Sequence, residues 1–465
     1  MGWVFLILSS VCFVEIFIRS GAPGRINELN TIVAKIANTI RSPRISDCWK
    51  EKVLPHYALK LFLSSLLLFA LLLGSFSLFI GFSIFSILSE GHFLKLASSP
   101  WGIVSSTVVA ASYAMVRSKR SGGNYGFGSK LLHRMVLGNT IVGEATFDLE
   151  RLLYSPPIKK AAAGKHVFVA GLARAGTTIL MRSFFEQGPF CSLTYRDMPF
   201  ILAPNLWRTF NSFSRRQNKL QERAHGDGLM VNYDSPEALE EVFWRVFCKA
   251  DYIKPRCLVP MVAERDVLEK FRSFVGLVLE KDPTKRYLSK NNNNILRLGS
   301  IAKAFPNAII VVPFREPRQQ AYSLMKQHER FRSIHAKDHF SKTYMTWLAH
   351  HEFGADHRPF RFNEKANIAE DTDKLSYWLE RWIDAYTFIR ENLPNQSILV
   401  AYESLCHDTD LTWQKLAAEI NLLPYANAIP FSPSTHQIED PLPSDLVLQA
   451  TAIYNDLVAR SIGST

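Results

Sequence analysis

The chain has 465 residues, 47% of them hydrophobic, and a formal net charge of +12 at neutral pH. This length allows two or three domains with a large core, and the positive charge favours anionic partners such as a nucleotide or an anionic membrane face. Nucleic acid is not an expected partner, because the chain has no aromatic-interleaved basic motif, zinc-finger spacing or basic arm. The six cysteines are scattered without a Cys-x-x-Cys pair, so no zinc site is expected.

Three apolar segments predict a membrane region over residues 1–120. They cover about residues 2–18, 61–88 and 96–116. The second segment contains no charged residue and is long enough to cross about 30 Å of hydrocarbon. The third is followed by Arg117-Ser-Lys-Arg120, a flank that is typical of a spanning helix. The pattern therefore predicts a multi-pass membrane protein.

The charge of the loops predicts the orientation of these spans. The segment between the first two spans contains eight lysine or arginine residues against three acidic ones. By the positive-inside rule this segment is cytoplasmic. Three spans then place everything after Arg117 in the cytoplasm, including the catalytic domain. If only the first segment spans, the domain could instead face a lumen, where the sequon at Asn395 would matter.

A juxtamembrane linker over residues 121–164 is expected to lead into a soluble domain over residues 165–465. This domain opens with an apolar strand, Val167 to Ala170, which runs into a glycine-containing loop. Thr177 and Thr178 then open a run with helical spacing. Such a strand, loop and helix leaves several backbone N–H groups pointing at one spot, which is a ready anion site.

The loop has the spacing of a Walker A motif but lacks its lysine. Gly171 and Gly176 are separated by four residues, and Thr177 stands where the lysine should be. A nucleoside triphosphatase needs that lysine on the β- and γ-phosphates. Here the cation is inside the loop, at Arg174. The loop therefore favours a phosphate that is not part of a triphosphate.

One further segment places a polar residue at a strand end, and another begins a helix. Cys191 to Tyr195 predicts a second strand that delivers Asp197 to its end, where ligands gather in open α/β sheets. The run from Asp234 to Trp244 predicts the start of a helix, with a cap, a proline in the first turn and acidic residues near the positive helix end.

A second phosphate-binding pattern follows another apolar strand. Ala308 to Val312 predicts this strand, Arg315 follows it, and a helix beginning near Pro317 carries Ser323. A guanidinium at a strand end can bind a phosphate through two parallel hydrogen bonds. Ser323 lies two turns into the helix and can reach back to the same oxygens.

These motifs resemble those of sulfotransferases that use 3′-phosphoadenylyl sulfate (PAPS). The Arg174-x-Gly-Thr-Thr loop is similar to the 5′-phosphosulfate loop of that family, and the Arg315 to Ser323 pattern is similar to its 3′-phosphate motif. Tyr402-Glu-x-Leu also resembles a motif found late in such domains. The resemblance covers roughly residues 165–460. It implies an α/β, P-loop-like fold with a central parallel sheet flanked by helices, preceded here by an α-helical membrane region.

The resemblance also implies a donor and its binding residues. The co-substrate would be PAPS and the released product adenosine 3′,5′-bisphosphate (PAP). The 3′-phosphate is assigned to Arg315 and Ser323. No metal is implied, because a cation and oriented amides complement the charge of the leaving phosphate. The 5′-phosphate is assigned to five loop residues: Arg174, Ala175, Gly176, Thr177 and Thr178.

The general base is assigned by the same resemblance and several candidates stay open. Some branches of the family place a carboxylate after the strand that follows the loop helix, which is where Asp197 stands, and others use a histidine. Lys290 is expected near the transferred group. If Asp197 is structural, it pairs with Arg196, and if Glu241 is, it pairs with Arg245 one turn on. The candidates, in order, are Asp197, His225, and Glu240 or Glu241.

Two other functions compete with sulfuryl transfer. One is a P-loop kinase or phosphotransferase, which the missing lysine and the lack of a clear Walker B acid count against. The other is a membrane-tethered binding protein whose basic segments hold anionic lipid. The location suggests a lipid, glycolipid or lipid-linked glycan as acceptor, and the sequence indicates no oligomeric state.

Overall fold

The structure, a computed structural model, describes residues 2–22, 47–77, 93–99, 127–211, 221–222, 230–231, 234–362, 371–422, 431–433 and 436–462, with scattered positions between 25 and 113. The chain forms two compact units, Met1–Leu132 and His133–Thr465. The first unit contains the apolar segments. The second contains both predicted phosphate-binding motifs.

The described part of the first unit contains one helix that is long and apolar enough to cross a membrane. This stretch, Trp49–Ser75, has little buried surface. The apolar stretch Phe5–Phe17 is shorter. The sequence pattern predicts three spans, but the described residues contain one candidate, and the predicted span 96–116 lies largely outside them. The described helices that lie wholly within this unit are α1 (Gly2–Arg19), α2 (Asp47–Ser75) and α3 (Phe93–Ala97).

The second unit alternates strands and helices. It starts within helix α4 (Phe127–Leu137). The described strands are β1 (Val167–Val169), β2 (Phe190–Cys191), β3 (Gln221–Glu222), β4 (Met230–Val231), β5 (Arg286–Lys290), β6 (Ile309–Phe314) and β7 (Ser397–Ala401). The described helices are α5 (Thr140–Tyr154), α6 (Ile158–Ala163), α7 (Thr177–Gln187), α8 (Pro204–Asn211), α9 (Glu241–Tyr252), α10 (Arg265–Leu279), α11 (Leu298–Ala304), α12 (Pro317–Lys337), α13 (His339–Trp347), α14 (Leu375–Asn392), α15 (Tyr402–His407), α16 (Thr409–Glu419) and α17 (Ser444–Ala459).

Five of the strands form a parallel sheet in the order β2-β5-β1-β6-β7. The central strand β1 pairs on both sides, so that Val169 stands opposite Lys290 of β5 and Val311 of β6. Strands β3 and β4 form a separate antiparallel pair. The expected α/β fold with a central parallel sheet flanked by helices is confirmed. Parallel strands end at one edge of the sheet, and the loops after β1, β5 and β6 therefore meet there.

The three residues of β1 are fully buried because both faces of the sheet are covered by helices. Alternate side chains of a strand point to opposite faces. Phe168 faces one core, where its ring packs against those of Phe271 and Phe305. Val167 and Val169 face a second core that includes Leu180 of α7. The strand thus fixes the position at which the phosphate loop begins.

The segment that was expected to be a juxtamembrane linker, residues 121–164, contains the described helices α4, α5 and α6. In α5, Phe147 is fully buried and its ring lies 6.1 Å from that of Phe243 and 5.3 Å from that of Phe247. Glu150 is also buried, and it accepts hydrogen bonds from the backbone and side-chain amides of Asn205 at 2.8 Å. These contacts make α5 part of the second unit.

The helix that was predicted to start near Asp234 starts at Glu241 instead. The preceding residues make other contacts, because Pro236 forms a bridge with Thr194 and Glu237 accepts a hydrogen bond from the Tyr195 hydroxyl at 2.7 Å. The residues that were expected to cap the helix therefore lie before it, and they hold this segment against the chain that follows β2.

Candidate functional site

The predicted phosphate loop connects β1 to α7, with Thr177 as the first helical residue. Arg174 has φ 67° and Gly176 has φ 80°, the left-handed conformation in which glycine has no steric cost. A Cβ atom at Gly176 would lie 2.4 Å from the ring of Tyr402. The loop thus packs tightly against Tyr402, which directly follows β7. The amino end of α7 begins at the end of this loop.

Arg174 and Ser323, which belong to the two separate motifs, are in direct contact. The Arg174 Nε donates a hydrogen bond to the Ser323 Oγ at 3.0 Å, although the two residues lie 149 positions apart. Arg174 is half-buried and Ser323 is buried. The structure therefore joins the predicted 5′-phosphate loop to the predicted 3′-phosphate helix. The other predicted loop residues are placed as follows: Ala175 and Thr177 are buried, and Thr178 is half-buried.

Arg315 lies on the same side of the sheet edge as this loop. It follows β6, is 6% exposed, and its guanidinium lies 5.7 Å from the centre of the Tyr402 ring. The same ring borders Gly176. Burial lowers the pKa of His436, and the charges of Arg315 and Arg174 lower it further. The charges of both guanidiniums therefore reach His436.

A buried polar frame holds the loop against α12. The Gln320 side chain donates to the Ala173 carbonyl at 3.0 Å and accepts from the Trp382 indole N–H at 2.9 Å. The Tyr386 hydroxyl donates to the Pro313 carbonyl of β6 at 3.2 Å. Because buried donors and acceptors are costly to leave unpaired, these bonds fix the loop and the strand end relative to each other.

The backbone directly after Arg315 is also fixed. The Glu316 N–H donates to the Glu403 carboxylate at 2.9 Å, and the Tyr454 hydroxyl donates to the same carboxylate at 3.0 Å. The Glu316 side chain in turn accepts the backbone N–H groups of Arg318 and Gln319 and so caps α12. Glu403, in the Tyr402-Glu-x-Leu motif, thus supports the position of Arg315.

A segment near the C-terminus, residues 431–440, contributes a residue that the sequence motifs did not indicate. His436 and Gln319 form two hydrogen bonds: the Gln319 amide donates to the His436 carbonyl at 3.0 Å, and the His436 N–H donates to the Gln319 Oε1 at 2.8 Å. The His436 ring lies 5.0 Å from that of Tyr322. Gln319 and Tyr322 share the helical face of Ser323, which places His436 beside the predicted 3′-phosphate site.

Asp197, the first candidate base, is engaged in local structure. It is 2% exposed and caps the short turn after β2, where the Thr194 N–H donates to its Oδ2 at 2.8 Å. The Lys281 ammonium lies 3.0 Å from the same oxygen. Its expected structural partner, Arg196, pairs with Asp234 instead. Strand β2 is at the edge of the sheet, two strands away from β1.

Glu240 and Glu241 are fully buried in hydrogen-bond networks. Glu240 accepts from the Trp244 indole at 3.1 Å and from the Tyr287 hydroxyl at 2.9 Å, and its burial raises its pKa. Glu241 forms an ion pair with the buried Arg297 at 2.9 Å. The pair with Arg245 that the spacing predicts does not form. His225 lies outside the described residues.

A carboxylate that the sequence motifs did not indicate lies near the end of β5. The Asn292 side chain donates to Glu352 Oε1 at 3.1 Å. Burial raises the pKa of Glu352, but the charges of His350 and Lys290 and the hydrogen bond from Asn292 hold it below its ordinary value. Lys290 is buried and stands opposite Val169, just before the phosphate loop. Lys290 thus lies next to the start of the loop, and its charge acts on Glu352.

The part of the chain that contains these residues matches a known protein family. The family model described as the sulfotransferase family matches residues 166–357, which contain Arg174, Arg315 and Ser323. No curated protein matches the chain significantly.

Similar solved structures include three bacterial sulfotransferases. The one from Mycobacterium tuberculosis H37Rv is 14% identical, with 74% of this chain and 86% of that chain covered and a TM-score of 0.36. The one from Mycobacterium avium is 12% identical, with 69% and 75% covered and a TM-score of 0.35. The one from Alicyclobacillus acidocaldarius is 16% identical, with 64% and 94% covered and a TM-score of 0.27. The family assignment comes from the match over residues 166–357.

Proposed function

We propose that this chain, which belongs to the sulfotransferase family through residues 166–357, transfers a sulfuryl group from PAPS to a hydroxyl or amine of its acceptor. The observation that carries the proposal is the contact between Arg174 and Ser323 at 3.0 Å. It joins the two motifs that would hold the two phosphates of one nucleotide. Arg315 completes the set through its position against Tyr402. We call these residues, with Gly176, the loop site.

The residues of the loop site fit a doubly phosphorylated donor. The backbone of Ala175 and Gly176, with the hydroxyls of Thr177 and Thr178, would bind the 5′-phosphate at the amino end of α7. Arg315 and Ser323 would bind the 3′-phosphate, and this contact would distinguish PAPS from ATP. Arg174 lies between the two groups. The depressed pKa of His436 fits this assignment, because it reports positive charge that a bound anion would compensate.

In the reaction that PAPS supports, an acceptor oxygen or nitrogen bonds to sulfur while the bond from sulfur to the 5′-phosphate oxygen breaks. Arg174 and the loop N–H groups would stabilise the negative charge on the leaving phosphate. They need little rearrangement, since Gln320 already fixes the loop backbone at the Ala173 carbonyl. The acceptor proton must pass to a base.

We propose Glu352 as this base, with Asp197 as the competing candidate. Glu352 is half-buried, its pKa lies below its ordinary value so that it is ionised at neutral pH, and it accepts a hydrogen bond from Asn292 just after β5. Asp197 is enclosed by Thr194 and Lys281. We expect Glu352→Gln to lower kcat about 100-fold with unchanged PAP affinity, and Asp197→Asn to lower thermal stability with kcat changed only a few-fold. The opposite assignment follows if kcat falls in Asp197→Asn and not in Glu352→Gln.

The acceptor and the location belong to the same proposal. The helix Trp49–Ser75 is a candidate membrane anchor, and an enzyme held at a membrane would meet a lipid, glycolipid or lipid-linked glycan. With three spans, the positive charge of residues 19–60 places the second unit in the cytoplasm, whereas with Trp49–Ser75 as a single span the same charge places it on the opposite side. Labelling of single cysteines introduced at exposed positions, such as Lys303, in sealed vesicles distinguishes the two orientations.

Donor binding and product formation test the function. We expect calorimetry to show PAP binding without Mg²⁺ and no comparable binding of Mg-ATP, and Arg174→Ala to weaken PAP binding by about 100-fold through the loss of a charge-assisted contact. Membranes containing the wild type, incubated with ³⁵S-labelled PAPS, should yield a labelled product that membranes with Arg174→Ala do not. Tight Mg-ATP binding would favour the kinase, and a water-soluble product would contradict a lipid acceptor.

A further inference from the structure

A second cationic region lies in the same unit, in a cavity of about 270 Å³ between α9 and the loop that follows α13. We call it the cationic cavity. Among the residues that line it in the described structure there is no carboxylate. The polar ones are Arg245, Lys249, Lys254, Thr346, His351 and Arg358.

Arg245 shows that this region has an unmatched positive charge. It follows Glu241 by one helical turn, the spacing at which an ion pair is expected, but Glu241 pairs with Arg297 at 2.9 Å. Arg245 instead donates from Nη2 to the Leu137 carbonyl. It is 6% exposed, and its buried Nε has no hydrogen-bond partner within the described part of the chain. A buried guanidinium nitrogen without an acceptor is costly.

The neighbouring charges do not compensate Arg245. Burial lowers the pKa of Lys249, and the charges of Arg245 and Arg358 lower it further. The carboxylate that contacts this group, Asp356, accepts from Arg358 at 3.1 Å and lies 3.0 Å from the His351 Nδ1. It is outside the cavity lining, and its oxygens are already used. Arg245 and Lys249 therefore face each other with no carboxylate among the described residues that line the cavity, and an anion there would offset their charge.

We propose that the cationic cavity is an anion-binding site, separate from the loop site, for a phosphate or sulfate group. Arg245 offers its unpartnered guanidinium Nε, and Lys249 offers an ammonium group. Lys254 has one contact, to the Ala250 carbonyl at 2.7 Å, and its remaining N–H groups are also available. Arg358 adds positive charge, although it is paired with Asp356. The volume suits one such group with a small organic body and is at the lower end for ligand pockets. The assignment rests on these residues alone and holds whether or not the donor is PAPS.

The cavity lies across one loop from the proposed catalytic residues. His351 lines the cavity, while its neighbour Glu352 contacts Asn292 at the end of β5. The bound group could therefore come from a lipid headgroup that is part of a membrane acceptor, or from a free anion. The chemistry of recognition is the same in both cases.

Calorimetry with inorganic phosphate tests the site in the full-length chain. The starting protein carries Arg174→Ala and Arg315→Ala, so that the loop site does not contribute. We expect it to bind phosphate, and the added pair Lys249→Ala with Lys254→Ala to weaken binding by about tenfold or more. The matched control adds Lys303→Ala with Lys337→Ala, two exposed lysines elsewhere, which lower the net charge equally. Circular dichroism and the melting temperature without phosphate verify folding.

The outcomes distinguish specific phosphate binding in the cavity from attraction by the overall positive charge. They then identify the source of the anion. Equal phosphate affinities in the cavity and control variants, or no phosphate binding in the starting protein, would overturn the proposal. The source is tested in nanodiscs of phosphatidylcholine with and without phosphatidic acid. If phosphatidic acid reduces phosphate binding only when Lys249 and Lys254 are present, the ligand is a headgroup. If it has no effect while phosphate binds, the ligand is a free anion.

Discussion

The loop site and the cationic cavity are both built from arginine and other cations, but they are assembled in different ways. In the loop site, Arg174 and Arg315 each follow a strand of the sheet and have defined contacts, with Ser323 and with the Tyr402 ring. In the cavity, Arg245 lies on the side of a helix and has an unpartnered Nε within the described chain. In the loop site, the ends of parallel strands position the cations. In the cavity, Arg245 lacks a carboxylate partner because Glu241 pairs with Arg297 instead.

The largest effect is expected from Gly176→Ala, which should abolish the loop site and leave the cavity intact. The substitution places a Cβ atom 2.4 Å from the Tyr402 ring at a φ of 80°. Both the clash and the left-handed conformation are unfavourable. We expect PAP affinity to fall at least about 100-fold, with phosphate binding to the cavity unchanged, as measured by calorimetry.

Gly299→Ala provides the matched control, because a Cβ atom at Gly299 meets no other atom within 4 Å. Its PAP affinity should equal that of the wild type. The additional change Tyr402→Ala should recover part of the loss in Gly176→Ala, since it removes the clash but not the strain. An unchanged PAP affinity in Gly176→Ala would show that the loop does not hold the nucleotide.

An intermediate effect is expected from Arg315→Ala, and it should depend on the 3′-phosphate. PAP affinity should fall about 30-fold, which is the loss of one charge-assisted contact of about 2 kcal/mol. The affinity for adenosine 5′-monophosphate, which has no 3′-phosphate, should change little. Arg318→Ala, an exposed arginine three residues further on, serves as the control in the same titrations. Equal losses for both nucleotides would contradict the separation of the two phosphate sites.

The smallest effect is expected from pH, through His436. Burial and the charges of Arg315 and Arg174 lower the pKa of this histidine below 6.5 in the free protein. A bound anion compensates these charges and raises the pKa, so binding takes up a proton. PAP affinity should therefore increase as the pH falls through 6.5, by less than about tenfold for a shift of one unit. The phosphates of PAP titrate in the same range and equally for both proteins, so the ratio of wild-type to His436→Gln affinity is the measure. This ratio should rise as the pH falls, and a ratio that does not change with pH would exclude His436 from the site.

The sequence predicted the strands and helices around the loop site because each of these elements is encoded locally. The strand before the loop is confirmed as Val167–Val169, and the strand before Arg315 is Ile309–Phe314. The second apolar run leads directly into a cation, and the first leads into the loop that contains one. Parallel strands end at one edge of the sheet, so both runs deliver the residues that follow them to the same edge. The hydrogen bond between Arg174 and Ser323 was not itself predicted.

The contacts of Glu241, His436 and Asp197 were harder to predict. Each side chain has several possible partners, and residue spacing does not determine which one it contacts. Glu241 was expected to pair with Arg245 if it is structural, and it pairs with Arg297, because both are buried together and a buried charge needs the closest complement. His436 reaches the site from a distant segment through two hydrogen bonds with one glutamine side chain. Asp197 lies after a strand, as expected, but its side chain caps the short turn that begins at Thr194.

The packing of Tyr402 on Gly176 has a consequence for how the enzyme can be divided. The family match ends at residue 357, before β7, Tyr402 and His436. A fragment cut at that boundary would lack the ring beside the loop, the Trp382 and Tyr386 side chains that hold Gln320, and one edge strand of the sheet. The smallest fragment that keeps the packing around this loop must therefore extend past residue 457, because Tyr454 of α17 anchors Glu403 and Leu457 is fully buried.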